Sequence, residues 1–274
     1  MNTVRTLGGA AAAGLIALGA APVAMAQTAA ITVYAAGSLR AALSDIATAF
    51  EAAPGGLPVR LVFGASGLLK DRLQTGEAAD VFASANMEHP QALAASGRAE
   101  PVRPFARNAL CALAATSFAL DGQSLAQRLL DERVKLGTST PKADPSGDYA
   151  FEMFERIEAS AAAPAGAADR LKAKALQLTG GPDSPRPPKG RNVYGALVAG
   201  GQADVFITYC TNAEIARKQQ PQLQVLPIPE SINVSATYGL TVLRPASAGA
   251  QRFVDYLLGA PGQQRLKAYG FIAP

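Results

Sequence analysis

Along the chain, short apolar runs alternate with longer stretches in which apolar residues recur every three or four positions. The first pair is the clearest. Ile31–Ala35 (ITVYA) is a compact apolar run followed by the turn residues Gly37 and Ser38, which predicts a buried strand. From Leu39 to about Ala52, the residues Leu39, Leu43, Ile46 and Phe50 fall on one stripe at helical spacing. That predicts an amphipathic helix with Ser38 at its N-cap.

The same alternation predicts strands at Val59–Phe63, Asp80–Ser84, Ala109–Ala115, Val134–Gly137, Val205–Tyr209, Leu223–Pro227 and Ala236–Leu243. Helices are predicted at Gly67–Gln74, Met87–Ser96, Tyr149–Ala159 and Asn192–Gly200, with one or two more over Gln251–Tyr269. Pro54–Pro58 reads as a turn, Ala159–Asp169 as irregular, and Gly180–Lys189 (GGPDSPRPPK) as a Pro-rich loop. Strands alternating with helices imply an α/β chain with mostly parallel, doubly wound sheets.

The length of 274 residues suits two lobes with two cores. No long linker separates them, so short strands must join the lobes. Ala109–Ala115 and Pro227–Thr237 are the best crossings. This gives a first lobe over 27–110 that resumes over 228–274, and an inserted second lobe over 111–227.

Residues 1–26 read as a secretory signal peptide. Arg5 is followed by a weakly apolar Ala/Gly-rich run, and Ala24-Met25-Ala26 has the small-x-small pattern of a cleavage site. The mature protein is expected in the periplasm. The net charge of +4 is scattered, with no basic stripe interleaved with aromatics, so a nucleic-acid partner is not expected. The only histidine is His89, on what reads as an exposed helix start, and no metal-like cluster surrounds the two cysteines. In an oxidising compartment Cys111 and Cys210 either pair or stand as two small buried residues on strands.

Candidate chemistry lies at four turns where a strand meets a helix. They are Ser38, Ser66 in Gly64-Ala65-Ser66-Gly67, Ser146 in Pro145-Ser146-Gly147, and Asn192 before Val193. A helix start offers free N–H donors and the positive end of a dipole, and in open α/β sheets ligands bind beyond the carboxyl ends of strands. A small anion between the lobes can use all four turns; each residue taken singly also reads as a plain cap. A serine hydrolase is the enzyme alternative. Gly64-Ala65-Ser66-Gly67 does not match G-x-S-x-G, and His89 would have to serve as base, so a binder without cofactor is expected rather than an enzyme.

Seven stretches resemble the periplasmic molybdate-binding proteins of ABC transporters, within the periplasmic binding protein type II fold. They are Val33–Leu39 (VYAAGSL), Phe63–Leu68 (FGASGL), Ala79–Ala85 (ADVFASA), Pro145–Ala150 (PSGDYA), Asn192–Leu197 (NVYGAL), Ala203–Tyr209 (ADVFITY) and Tyr269–Phe271 (YGF). The resemblance implies an oxyanion held by the hydroxyls of Ser38 and Ser66, the backbone amides of Ser146 and Val193, and the hydroxyl of Tyr209. These are the metal-oxyanion residues, if molybdate is counted as one. It further implies a monomeric receptor that delivers molybdate or tungstate to an inner-membrane permease. The sequence departs from the family at Ser146, Asp148, Arg40 and Cys210-Thr211-Asn212.

Donor-only chemistry suits such a ligand. A tetrahedral dianion without protons only accepts hydrogen bonds, whereas protonated phosphate brings a donor that would meet no acceptor. Should Asp148 point into the site, phosphate or an organophosphate becomes the better fit; a phosphonate or small carboxylate is the remaining alternative.

Overall fold

The computed structural model describes residues 1–3, 30–160, 163–185 and 190–274. Nearly all of the predicted signal peptide, together with part of the Pro-rich loop, lies outside the described residues.

The first sheet half is built from β1 (Ile31–Ala36), β2 (Val59–Gly64) and β3 (Val81–Ser84). β1 pairs in parallel with both neighbours. Every residue of β1 is buried, as expected for a central strand of a sheet covered on both faces. The helices α1 (Arg40–Ala52), α2 (Ser66–Gln74) and α3 (Glu88–Ala95) return the chain between these strands. The α1 stripe Leu39, Leu43, Ile46 and Phe50 is buried as the spacing predicts, and Phe50 meets the edge of Phe253 at 5.3 Å.

The second half repeats the plan. β5 (Leu136–Ser139) runs parallel to β6 (Leu176–Thr179) and to β7 (Val205–Tyr209). The helices α4 (Leu125–Leu130), α5 (Pro145–Ala159), α6 (Ala167–Lys174), α7 (Val193–Ala199) and α8 (Cys210–Gln219) flank it.

One long strand joins the halves. β4 (Arg103–Ala114) pairs antiparallel with β9 (Ser235–Val242) through Ala109, then with β7 from Leu110 onward. β8 (Gln224–Pro227) also lies against its second part. The strand order is therefore β2-β1-β3-β9-β4-β7-β5-β6, with β8 on β4. The chain passes between halves within β4 and again between β8 and β9, then closes with α9 (Ala250–Leu258) and α10 (Ala260–Ala268). The fold is the two-lobed α/β architecture expected, with antiparallel β4 and β9 beside the parallel strands.

Several local expectations need correction. Ser38 lies inside a 3-10 turn, Gly37–Leu39, and α1 begins only at Arg40, so Ser38 caps nothing. The strand expected at Ala109–Ala115 starts at Arg103, because the polar Arg107 and Asn108 that interrupt its pattern are still paired to β9. Helix α6 occupies part of the stretch read as irregular, where alanines hide the stripe made by Ala167, Ala168 and Leu171. Helix α4, announced by a Ser124/Gln127 capping box, strand β6 and helix α8 were not expected.

Helix α8 starts at Cys210, so that residue sits on a helix rather than a strand, and Cys111 and Cys210 form a disulfide with Cα atoms 4.8 Å apart. His89 is buried, not exposed, and burial lowers its pKa.

Candidate oxyanion site

The serine turns sit side by side because β1 and β2 are parallel and in register, Ala36 opposite Gly64. Ser38 follows β1. It is buried, and its Oγ lies 3.0 Å from the phenol oxygen of Tyr238 on β9. Ser66 is the first residue of α2, whose cap position is Ala65. Its Oγ accepts the backbone N–H of Ala85 at 3.1 Å. Neither hydroxyl satisfies its own helix start, so both are available for another purpose.

On the opposite lobe, Tyr209 ends β7. It is 1% exposed and its hydroxyl has no partner among the described residues. Its ring lies 5.6 Å from that of Tyr238 and 6.4 Å from that of Tyr149 on α5. Ser38, Tyr238 and Tyr209 therefore form one contact chain across the cleft. Burial pushes the pKa of Tyr209 and Tyr238 up, keeping both phenols protonated donors. Ser66 reaches the second lobe through its neighbour: the N–H of Gly67 donates to the carbonyl of Ala143 at 2.8 Å.

The α5 turn departs from the expectation. Its cap is Asp144, and Asp144 Oδ1 accepts the N–H of Ser146 at 3.0 Å. The amide that the resemblance offers to the anion thus already donates to a carboxylate. Ser146 Oγ, by contrast, is buried without a partner among the described residues, as is Thr138 Oγ1 in β5. Such groups are costly to bury unless something meets them, which is why they cluster at ligand sites.

Burial, with Asp148 nearby, pushes the Asp144 carboxyl up to about 6, against the hydrogen bond from Ser146 that lowers it. Asp148 accepts the N–H of Lys142 at 2.7 Å, and burial raises its pKa too.

Val193 is the first residue of α7. Asn192 caps that helix as predicted, its Oδ1 accepting from Gly195 N–H at 3.1 Å. The Val193 amide has no partner among the described residues. Val193 joins the rest less directly, through Asn192 Nδ2, which donates to the carbonyl of Asn212 on α8 one turn past Tyr209. Arg40, at the start of α1, rests its guanidinium 4.5 Å from the Phe63 ring centroid, and desolvation lowers its pKa. Tyr238, Asn108 and Asp144 were not found in the sequence. The first two sit in strands that read only as structural, and Asp144 reads as an ordinary turn residue.

Two α/β lobes joined by crossing strands are the build of a solute receptor. The family model for bacterial extracellular solute-binding proteins matches residues 31–272, and the chain belongs to that family. It is 40% identical over 218 residues to the uncharacterized protein PM1146 of Pasteurella multocida (strain Pm70), covering 79% of this chain and 88% of that protein. It is 28% identical over 262 residues to the molybdate-binding protein ModA of Escherichia coli (strain K12), covering 90% and 91% of the two chains. The Azotobacter vinelandii periplasmic molybdate-binding protein shares the fold, with a TM-score of 0.69 at 19% identity over 89% of this chain and 99% of that one. The chain is therefore a solute-binding component of an ABC transporter, related to molybdate binders. Among the described residues, no helix is long and apolar enough to cross a membrane.

Proposed function

We propose that this protein captures molybdate or tungstate between a lobe formed by 27–110 and 228–274 and a lobe formed by 111–227. It acts in the periplasm after removal of residues 1–26, and delivers the anion as a monomeric binder, not an enzyme, to an ABC permease. The observation that carries the reading is the donor set: the hydroxyls of Ser38, Ser66 and Tyr209, with the Val193 amide, at the carboxyl ends of β1, β2 and β7 and the start of α7. Each offers a proton to a ligand, as a fully deprotonated dianion requires. Ser146 contributes its hydroxyl, which has no partner among the described residues, rather than the amide. Nothing in this donor set separates molybdate from tungstate, so the two are proposed together.

A second reading, a protonated phosphate or phosphate ester, is favoured by Asp144. Its carboxyl beside Ser146 supplies an acceptor that a ligand hydroxyl can use.

Thermal shift against molybdate, tungstate, sulfate, phosphate and citrate decides between them. A ligand bound only by the native state adds about 2.7 kcal/mol of apparent stability at a hundred times its Kd. Molybdate and tungstate are expected to give the largest shifts; a dominant phosphate shift establishes the second reading instead.

A further inference from the structure

Tyr238 stands outside the ligand set implied by the resemblance, yet its hydroxyl is the only group seen on Ser38 Oγ among the described residues. We infer that Tyr238 is a positioning residue which fixes the direction of the Ser38 proton, making Ser38 a donor to the anion. The inference rests on the reading of Ser38 as a ligand group.

The direction follows from counting protons. Asn108 Oδ1 accepts the backbone N–H of Ala109 at 3.0 Å, and an N–H can face only the oxygen of the amide. Asn108 Nδ2 therefore points the other way, donating to Thr211 Oγ1 at 2.9 Å and to the Tyr238 oxygen at 3.4 Å. Ser38 Oγ is the one acceptor that the phenol meets among the described residues, so the phenol directs its single proton there while its oxygen accepts from Asn108. A serine hydroxyl has one proton, and with an acceptor position filled by Tyr238 that proton is left for the cleft. Ser66 is treated in the same way by a different donor, the N–H of Ala85.

Both serines are thus oriented as donors by protein groups behind them. Each serine proton is turned toward the cleft, where it suits a ligand oxygen that only accepts. Asn108 and Tyr238 are 1% and 0% exposed, so water does not compete for this relay. Tyr238 also abuts the ring of Tyr209 of the other lobe, which places the relay beside the second lobe's hydroxyl.

The test is Tyr238→Phe, which removes the hydroxyl while keeping the ring against Phe105 and Phe271. Calorimetric titration with molybdate, tungstate, sulfate and phosphate is run at pH 7.5 beside ligand-free melting. The expected result is about a tenfold loss of molybdate affinity, a smaller loss for phosphate, and so a narrower molybdate-to-phosphate ratio, with the melting temperature near that of the parent. Asn108→Asp, which turns a donor into an acceptor and draws the Tyr238 proton away from Ser38, should lose more than Tyr238→Phe.

Parent-like affinity in Tyr238→Phe, or equal proportional losses for both anions, overturns the relay. A parent that prefers phosphate to molybdate overturns the proposed ligand while leaving the relay readable as a loss for phosphate. A parent that binds none of the four contradicts both.

Discussion

The backbone N–H of Gly67, one residue past Ser66, donates across the cleft to the carbonyl of Ala143 at 2.8 Å. A Cβ at Gly67 would stand 2.3 Å from the Lys142 carbonyl oxygen and 2.7 Å from that of Ala143, distances that backbone cannot accommodate. Gly67 lies in helical conformation, so alanine suits its own lobe, and glycine is required only where the two lobes touch. Gly67→Ala should hold the lobes apart. Molybdate affinity should fall at least tenfold while the ligand-free melting temperature rises or holds, since alanine favours a helix by up to about 1 kcal/mol over glycine. Small-angle scattering with saturating molybdate checks the cause: the parent contracts and the variant does not.

The serine hydroxyls cap no helix, which separates their role from that of Asn192. Ser38→Ala and Ser66→Ala each remove a hydrogen bond to a charged oxygen, worth roughly 1.5–3 kcal/mol, or about ten- to a hundredfold in Kd. Asn192→Ala loses the cap on Gly195 N–H, a cost of about 1 kcal/mol in folding stability, and should bind within a few-fold of the parent. Titration calorimetry paired with thermal melting reads both effects. Serine variants that bind like the parent would remove both residues from the site.

Asp144 gives the site a pH dependence. Its native pKa of about 6 lies above the unfolded value of 3.8, so the native state binds more protons between these values. Ligand-free stability therefore falls as pH rises through that window and levels off above it. Asp144→Asn keeps an oxygen for Ser146 N–H and removes the charge. Its stability minus that of the parent should rise across the window, and at pH 7.5 its molybdate affinity should be higher by roughly three- to tenfold through lost like-charge repulsion. Under the phosphate reading the same substitution weakens phosphate binding instead. Titrations at pH 5.5 and 7.5 decide the sign.

The elements around the site were legible because strand and helix periodicities differ sharply there. β1, α1, β7 and the Asn192 cap fall where the apolar runs and the capping residue put them. What was not legible depends on contacts distant in sequence. Ser38 and Tyr238 are 200 positions apart, and within β9 the tyrosine reads as one more strand aromatic. The reading of Ser38 as an N-cap failed because a 3-10 turn stands before α1, and its hydroxyl makes no cap hydrogen bond there. Asp144 looked like a turn former before Pro145; only the fold reveals that its carboxylate occupies the Ser146 amide. Helix α8 escaped notice because its buried positions include Thr211, Asn212, Ala213 and Ala216 rather than large apolar residues.

The most direct test of the central claim is a crystal structure of the protein grown with molybdate, with diffraction recorded at the molybdenum absorption edge to place the metal by anomalous scattering. The account predicts one strong peak enclosed between the lobes, its oxygens within hydrogen-bond reach of the Ser38, Ser66 and Tyr209 hydroxyls and the Val193 amide. A peak elsewhere, or none in a crystal whose cleft holds a different anion, would contradict it.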